Sequence, residues 1–147
     1  MFLGKFHHTI DSKGRLSIPV KFREFLNAHS NGTVIMTTDL DLCLAVYPLK
    51  AWNAVTEKAN LLPTMDPAAK NFLRFFYSRA TECLLDKQGR ILIPPILREY
   101  AGLEGEAVVA GIDNKFEIWN PRKWQHHEAL LSENAGKIQQ TLAGLGM

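Results

Sequence analysis

Two stretches of this chain place a carboxylate, a glycine and an arginine at one fixed spacing. Asp11-Ser-Lys-Gly-Arg15-Leu-Ser-Ile-Pro19 returns as Asp86-Lys-Gln-Gly-Arg90-Ile-Leu-Ile-Pro94, 75 positions further on. The match continues into Arg23-Glu24-Phe25 and Arg98-Glu99-Tyr100, with seven identities in fifteen ordered positions. Each member of the pattern has a physical use. An aspartate can accept from turn amides two or three residues on, and Gly14 and Gly89 can take the positive φ of a tight turn. Arg15 and Arg90 then lie at the turn exits, beside Lys13 and Lys87. Two such basic loops related by a two-fold axis suit the phosphates and groove edges of a duplex. Spacing alone favours the plainer alternative, a hairpin turn with a solvated arginine at its tip.

Other groupings carry less. His7 and His8 adjoin Asp11, but neighbours on a strand point to opposite faces and cannot serve one site. His126 and His127 are adjacent on a predicted helix, where paired ligands sit three or four apart. No phosphate-cradling glycine loop, nucleophile elbow or Cys-x-x-Cys is present, so no catalytic residue, metal site or cofactor is assigned and an enzyme is not expected.

The repeat must be positioned by its elements. A weaker match, Leu44–Trp52 against Phe116–Trp124 at an offset of 72, extends each copy. In each, an extended stretch (Phe6–Ile10; Ala80–Leu85) enters the Asp-x-x-Gly turn as one arm of a hairpin, and a second (Arg15–Ile18; Arg90–Ile93) leaves it. Proline stops that strand and opens a short helix, Lys21–Asn27 or Ile96–Ala101. Strands Thr33–Thr38 and Leu42–Tyr47 follow, matched by Ala107–Ile112 and Lys115–Trp119. Helices are expected over Pro48–Asn60, from Pro67 behind an Asp66 cap, and from Pro121 to about Leu131. Phe75 and Tyr77 fall off the apolar stripe of the middle helix and are candidates for a subunit interface. Past Ser132 weak periodicity predicts a frayed tail. The expected division is a first unit over 5–50, intervening helices over 51–76, a second unit over 77–122, and a C-terminal helix and tail over 123–147. A unit of about 45 residues buries too little to stand alone, so the two are expected to share a core, strands of one completing the sheet of the other.

Composition bounds the remainder. At 147 residues, 46% hydrophobic and 22% charged, the chain is that of a folded protein and not a disordered one. No apolar run approaches the ~20 residues of a membrane span, nor does the first segment resemble a secretion signal. Cys43 and Cys83 are expected as buried thiols in a reducing cytoplasm. A net charge of +2 names no partner. Its distribution is more informative, since residues 1–25 hold Lys5, Lys13, Arg15, Lys21 and Arg23 against Asp11 and Glu24.

With both motifs, the Met-Phe-x-Gly start, the aromatic middle helix and the segments Tyr47-Pro-Leu and Phe116-Glu-Ile-Trp119, the chain resembles the MraZ family, built from two tandem SpoVT/AbrB-type units. The resemblance covers Met1 to about Leu131. It implies a mainly β fold with helices, a swapped-hairpin, double-split β-barrel. It also implies a sequence-specific DNA-binding transcriptional regulator of the bacterial division and cell-wall gene cluster, acting on short direct repeats in its own promoter. Ring-shaped homo-oligomers, a cytoplasmic and nucleoid-associated location, and no membrane or small-molecule substrate follow from the same likeness. Carried over by position, Arg15 and Arg90 match the motif arginine and Lys13 the basic residue before the motif glycine. Arg15 is expected at base edges, with Lys13, Lys21 and Arg23 on phosphates, while Asp11, Gly14, Asp86 and Gly89 shape the turns. The second copy has Gln88 where the first has Lys13, its lysine moved to Lys87, and Ile96 in place of Lys21; with Arg90 and Arg98 it is expected to contribute less. Related units occur in antitoxins, so a protein-interaction module with the same barrel is the alternative.

Overall fold

The computed structural model describes residues 1–147. Eight strands and six helices alternate: β1 (Lys5–Thr9), β2 (Arg15–Ser17), α1 (Val20–His29), β3 (Thr33–Thr38), β4 (Leu44–Pro48), α2 (Leu49–Ala59), α3 (Pro67–Ser78), β5 (Thr81–Leu84), β6 (Arg90–Leu92), α4 (Pro95–Ala101), β7 (Glu106–Ile112), β8 (Lys115–Trp119), α5 (Pro121–Glu133) and α6 (Ala135–Gly144). No helix is long and apolar enough to cross a membrane.

Six strands form one antiparallel sheet in the order β1-β7-β8-β4-β3-β5, and β2 pairs with β6 in a separate two-stranded ribbon. The repeats exchange strands in both directions. β1 of the first lies along β7 of the second, and β5 of the second along β3 of the first. The expected shared core follows from this exchange: one cluster of 20 buried residues draws Phe2, Leu16, Phe22 and Leu26 from the first repeat and Ile91, Leu97, Phe116 and Ile118 from the second. Phe2 meets Phe22 and Phe116 edge-on at 5.0 and 5.2 Å between ring centres. Each such side chain, buried whole, contributes about 1.5–3 kcal/mol. A second cluster, Tyr47, Ala51 and Phe76 with Trp52 and Phe72, seats α2 and α3 on the sheet.

Four expectations are corrected. The fold is mixed α/β and not mainly β, and the six-stranded sheet is not closed on itself: β1 and β5 are its two edges. The Asp-x-x-Gly turns do not join a β-hairpin. β1 and β2 share one isolated bridge, Ile10 to Leu16, because the turn carries the chain out of the sheet and into the ribbon, where Leu16 and Ile91 can enter the common core. α1 runs past Asn27 to His29, where the Ser30 and Gly32 amides both donate to the Leu26 carbonyl and close it. Residues 135–144 are helical and not irregular: half-buried Ile138 and Leu142, four apart, give α6 a narrow apolar edge, although no residue of α6 is fully buried.

Candidate nucleic-acid interface

The ribbon is the meeting place of the two repeated motifs. Each turn is organised by its aspartate. Asp11 Oδ1 accepts from the amides of Lys13 and Arg15, both at 2.9 Å, and Oδ2 accepts from Arg15 Nε at 2.6 Å. Asp86 repeats the arrangement with the amides of Gln88 and Arg90 and with Arg90 Nε, all at 2.9 Å. The Arg15 amide above all, then the Arg15 guanidinium and the Lys13 amide, hold the Asp11 carboxyl down at about 2. Asp86 is lowered by its counterparts, Arg90 first. Gly14 and Gly89 close the turns at φ +88° and +74°, a region that side chains with a Cβ seldom enter.

The two turns are locked to one another. The Ile18 amide donates to the Gly89 carbonyl at 3.0 Å, and the Ile93 amide to the Gly14 carbonyl at 2.9 Å. Arg23, on α1, lies against Gly89 and donates from Nη1 to the Gln88 carbonyl at 3.4 Å. Arg98, on α4, lies against Gly14 and donates from Nε to the Ile93 carbonyl at 2.9 Å. So each repeat props the other's turn with the arginine of its short helix. The sequence suggested phosphate contact for Arg23; the structure seats both guanidinium groups under backbone. A joint signal was present in the sequence, since the glycine and the helix arginine recur together in both copies.

The ribbon register is symmetric about the buried pair Leu16–Ile91, with Arg15 opposite Leu92 and Ser17 opposite Arg90. Alternation then puts Arg15, Ser17, Arg90 and Leu92 on the outer face. Lys13 and Lys87 are exposed in the turns beside it. Six cations, Lys13, Arg15, Arg23, Lys87, Arg90 and Arg98, thus surround two carboxylates. The motif arginines are not equivalent. Arg15 is held through Nε alone, leaving both terminal nitrogens without a partner in the chain. Arg90 is tied at every nitrogen: Nε to Asp86, Nη2 to Gln88 Oε1 at 3.2 Å, and Nη1 3.7 Å from Asp11 Oδ2. Lys21 stands apart from this group, exposed on α1 beside a shallow hollow lined by Leu3, Phe6, His8 and Val20.

Residues 1–144 match, as two tandem segments at 1–75 and 76–144, the family model described as "MraZ protein, putative antitoxin-like". The chain belongs to the MraZ family. Among its relatives is a protein of Desulfitobacterium hafniense that is 46% identical over 147 residues, all of both chains. A Thermomicrobium roseum relative is 46% identical over 145 residues, 99% of each chain, and one from Limosilactobacillus reuteri 46% identical over 142 residues, 97% of each. All three carry the name "Transcriptional regulator MraZ".

His7 is exposed and His8 half-buried on opposite faces of β1, and burial, then Arg23, lowers His8. His127 packs on Trp119 at 4.5 Å between ring centres. Burial pushes both thiols up, Cys83 to about 11 and Cys43 further. Asp39, Cys43 and Glu117 come close enough to share an ion. Lys115, 3.7 Å from Glu117 and stacked over Tyr47, already supplies that corner with a positive charge. Phe75 and Tyr77 both find partners inside the chain. Phe75 packs on Tyr100 under the Arg79 guanidinium, and the Tyr77 hydroxyl donates to Asn60 Oδ1 at 3.1 Å.

Proposed function

We propose that this chain is a DNA-binding transcription regulator that reads the major groove with the β2–β6 ribbon. The observation that carries the reading is the outward arginine pair on a two-stranded ribbon, since such a ribbon fits the major groove and arginine reads guanine O6 and N7 bidentately. Arg15, with two free terminal nitrogens, makes the principal base contact and Arg90 a secondary one. Exposed Lys13 and Lys87, beside the ribbon, are placed for the flanking phosphates, with Lys21 an outlying phosphate contact. Arg23 and Arg98 act as positioning residues: they hold the turns that hold the base readers. Family resemblance supports reading the ribbon together with the open sheet as the two parts of a split barrel with exchanged strands, with units over 5–50 and 77–122.

The same resemblance supports the finer reading. The chain binds short direct repeats in its own promoter, within the division and cell-wall gene cluster, as a ring-shaped homo-oligomer at the nucleoid in the cytoplasm. Several identical ribbons on one ring would engage several tandem boxes through effective concentration.

The test is fluorescence anisotropy on the duplex upstream of the protein's own gene against a scrambled duplex, across a salt series. Preferential binding with a steep salt slope is expected. Arg15→Ala should remove about 1–3 kcal/mol of discrimination, and Lys13→Ala should weaken both duplexes alike and lower the salt slope by about one. Equal, weak binding to both, with a stoichiometric protein partner retained on purification, would turn the reading to the antitoxin-like alternative.

A further inference from the structure

The two ends of the ribbon differ in one outward position. Where the first repeat has Ser17, the second has Leu92, and the register sets Leu92 directly across from Arg15 while Ser17 lies across from Arg90. Leu92 is 54% exposed, although its strand neighbour Ile91 is 1% exposed. Leu92 thus keeps about half of its isobutyl group open to water on the outer face, across from Arg15 and two residues from Arg90. Its neighbours on that face of the ribbon are polar: Arg15, Arg90 and Ser17.

Resting on the DNA-binding reading above, we infer that Leu92 is a specificity-determining residue that takes the 5-methyl group of a thymine adjoining the guanine read by Arg15. The thymine methyl is the one apolar group that the base edges present in the major groove. Directly opposed side chains on an antiparallel pair stand about 5 Å apart at Cβ, between one and two base steps at the ~3.4 Å rise, a difference the long Arg15 side chain can span. Arg15 and Leu92 therefore address neighbouring steps. At the far end Arg90 is paired with a hydroxyl that both donates and accepts, and is tolerant of either purine or pyrimidine edges. The Arg15 end thus demands a thymine beside its guanine, whereas the Arg90 end is permissive, and the duplicated protein distinguishes the two directions of its site.

The experiment selects duplexes from a randomised library with the full-length protein, then replaces each thymine of the selected sequence singly by deoxyuridine, which removes the methyl and nothing else. One replacement should weaken binding about fourfold, the size of one buried methyl group, while the others leave it unchanged. Leu92→Ser copies the residue of the other repeat onto an exposed position, so it should fold normally, bind the selected duplex about as weakly as the wild type binds the uridine duplex, and show no further loss with uridine. A selected sequence in which no thymine methyl matters overturns the inference, as does a methyl effect that persists undiminished in Leu92→Ser. A Leu92→Ser protein that changes oligomeric state while keeping the methyl effect assigns Leu92 to a subunit contact instead. Absence of any sequence preference in the wild type overturns the DNA-binding reading itself, and this inference with it.

Discussion

Gly89→Ala is the sharpest probe of how the two repeats hold each other. At φ +74° an alanine is strained, by about 1–2 kcal/mol for a left-handed residue with a Cβ. The added Cβ would also collide with Arg23 Cδ and Nη1, so the side chain from the other repeat must move. Moving it forfeits the 3.4 Å hydrogen bond to the Gln88 carbonyl, about 0.5 kcal/mol at that length. The expected total is a loss of about 2 kcal/mol in urea unfolding, with the denaturant slope unchanged, or roughly 4–8 °C in Tm for a chain of this size. Gly136→Ala is the built-in control. It lies in α6 with nothing within 4 Å of the new Cβ, and should stabilise by about 0.5–1 kcal/mol through helix propensity alone. The double variant Gly89→Ala/Arg23→Ala should lose less than the sum of its parts, because removing Arg23 removes the obstruction. A Gly89→Ala protein within 0.5 kcal/mol of wild type, or strict additivity with Arg23→Ala, would refute the cross-repeat bracing.

The remaining predictions concern acid, thiols and the C-terminal helix. Asp11 is depressed from the usual 3.8 to about 2 by its turn amides and Arg15. A depressed carboxyl stabilises the fold fully above pH ~4, and that contribution is lost as pH falls toward 2. Asp11→Asn should flatten this acid limb in equilibrium unfolding, and an unchanged acid slope would count against the assigned turn chemistry. With Cys83 raised to about 11 and Cys43 higher still, both buried, alkylation at pH 8 should be at least about a hundredfold slower in the native protein than after unfolding, as followed by mass spectrometry. Deleting residues 135–147 removes a helix with no fully buried side chain and should change unfolding free energy by less than about 1 kcal/mol; a larger loss would mean that α6 supports the sheet.

What could be read from the sequence followed the range of the interactions concerned. The repeat, the aspartate-and-glycine turns, the proline-initiated helices and the need for a common core are legible because each is written in neighbouring residues or in the comparison of two copies. Strand pairing is not. Phe6–Ile10 and Arg15–Ile18 flank a tight turn and read as a hairpin, yet the first joins β7 and the second joins β6, since only those partners bury Leu16 and Phe6 against the other repeat. Arg23 and Arg98 read as surface cations of short helices because their partners, Gly89 and Gly14, lie in the opposite repeat. The sequence already points to a smaller share for the second copy through its missing lysine, but not to the way Arg90 is tied down. Gln88 was visible as a missing lysine, whereas its role as acceptor for Arg90 Nη2 exists only once the turn has folded. Ile138 and Leu142 alone give too little periodicity to announce α6.

The strand exchange has a further consequence at low protein concentration. Were the two repeats separate polypeptides, the ribbon would exist only as a dimer, and dilution toward the dissociation constant would dissolve it. Here β2 and β6 are tethered by the same backbone, at an effective concentration of order millimolar that no dilution reduces. Whatever the ribbon recognises, a lone molecule presents it whole, with both motifs already paired.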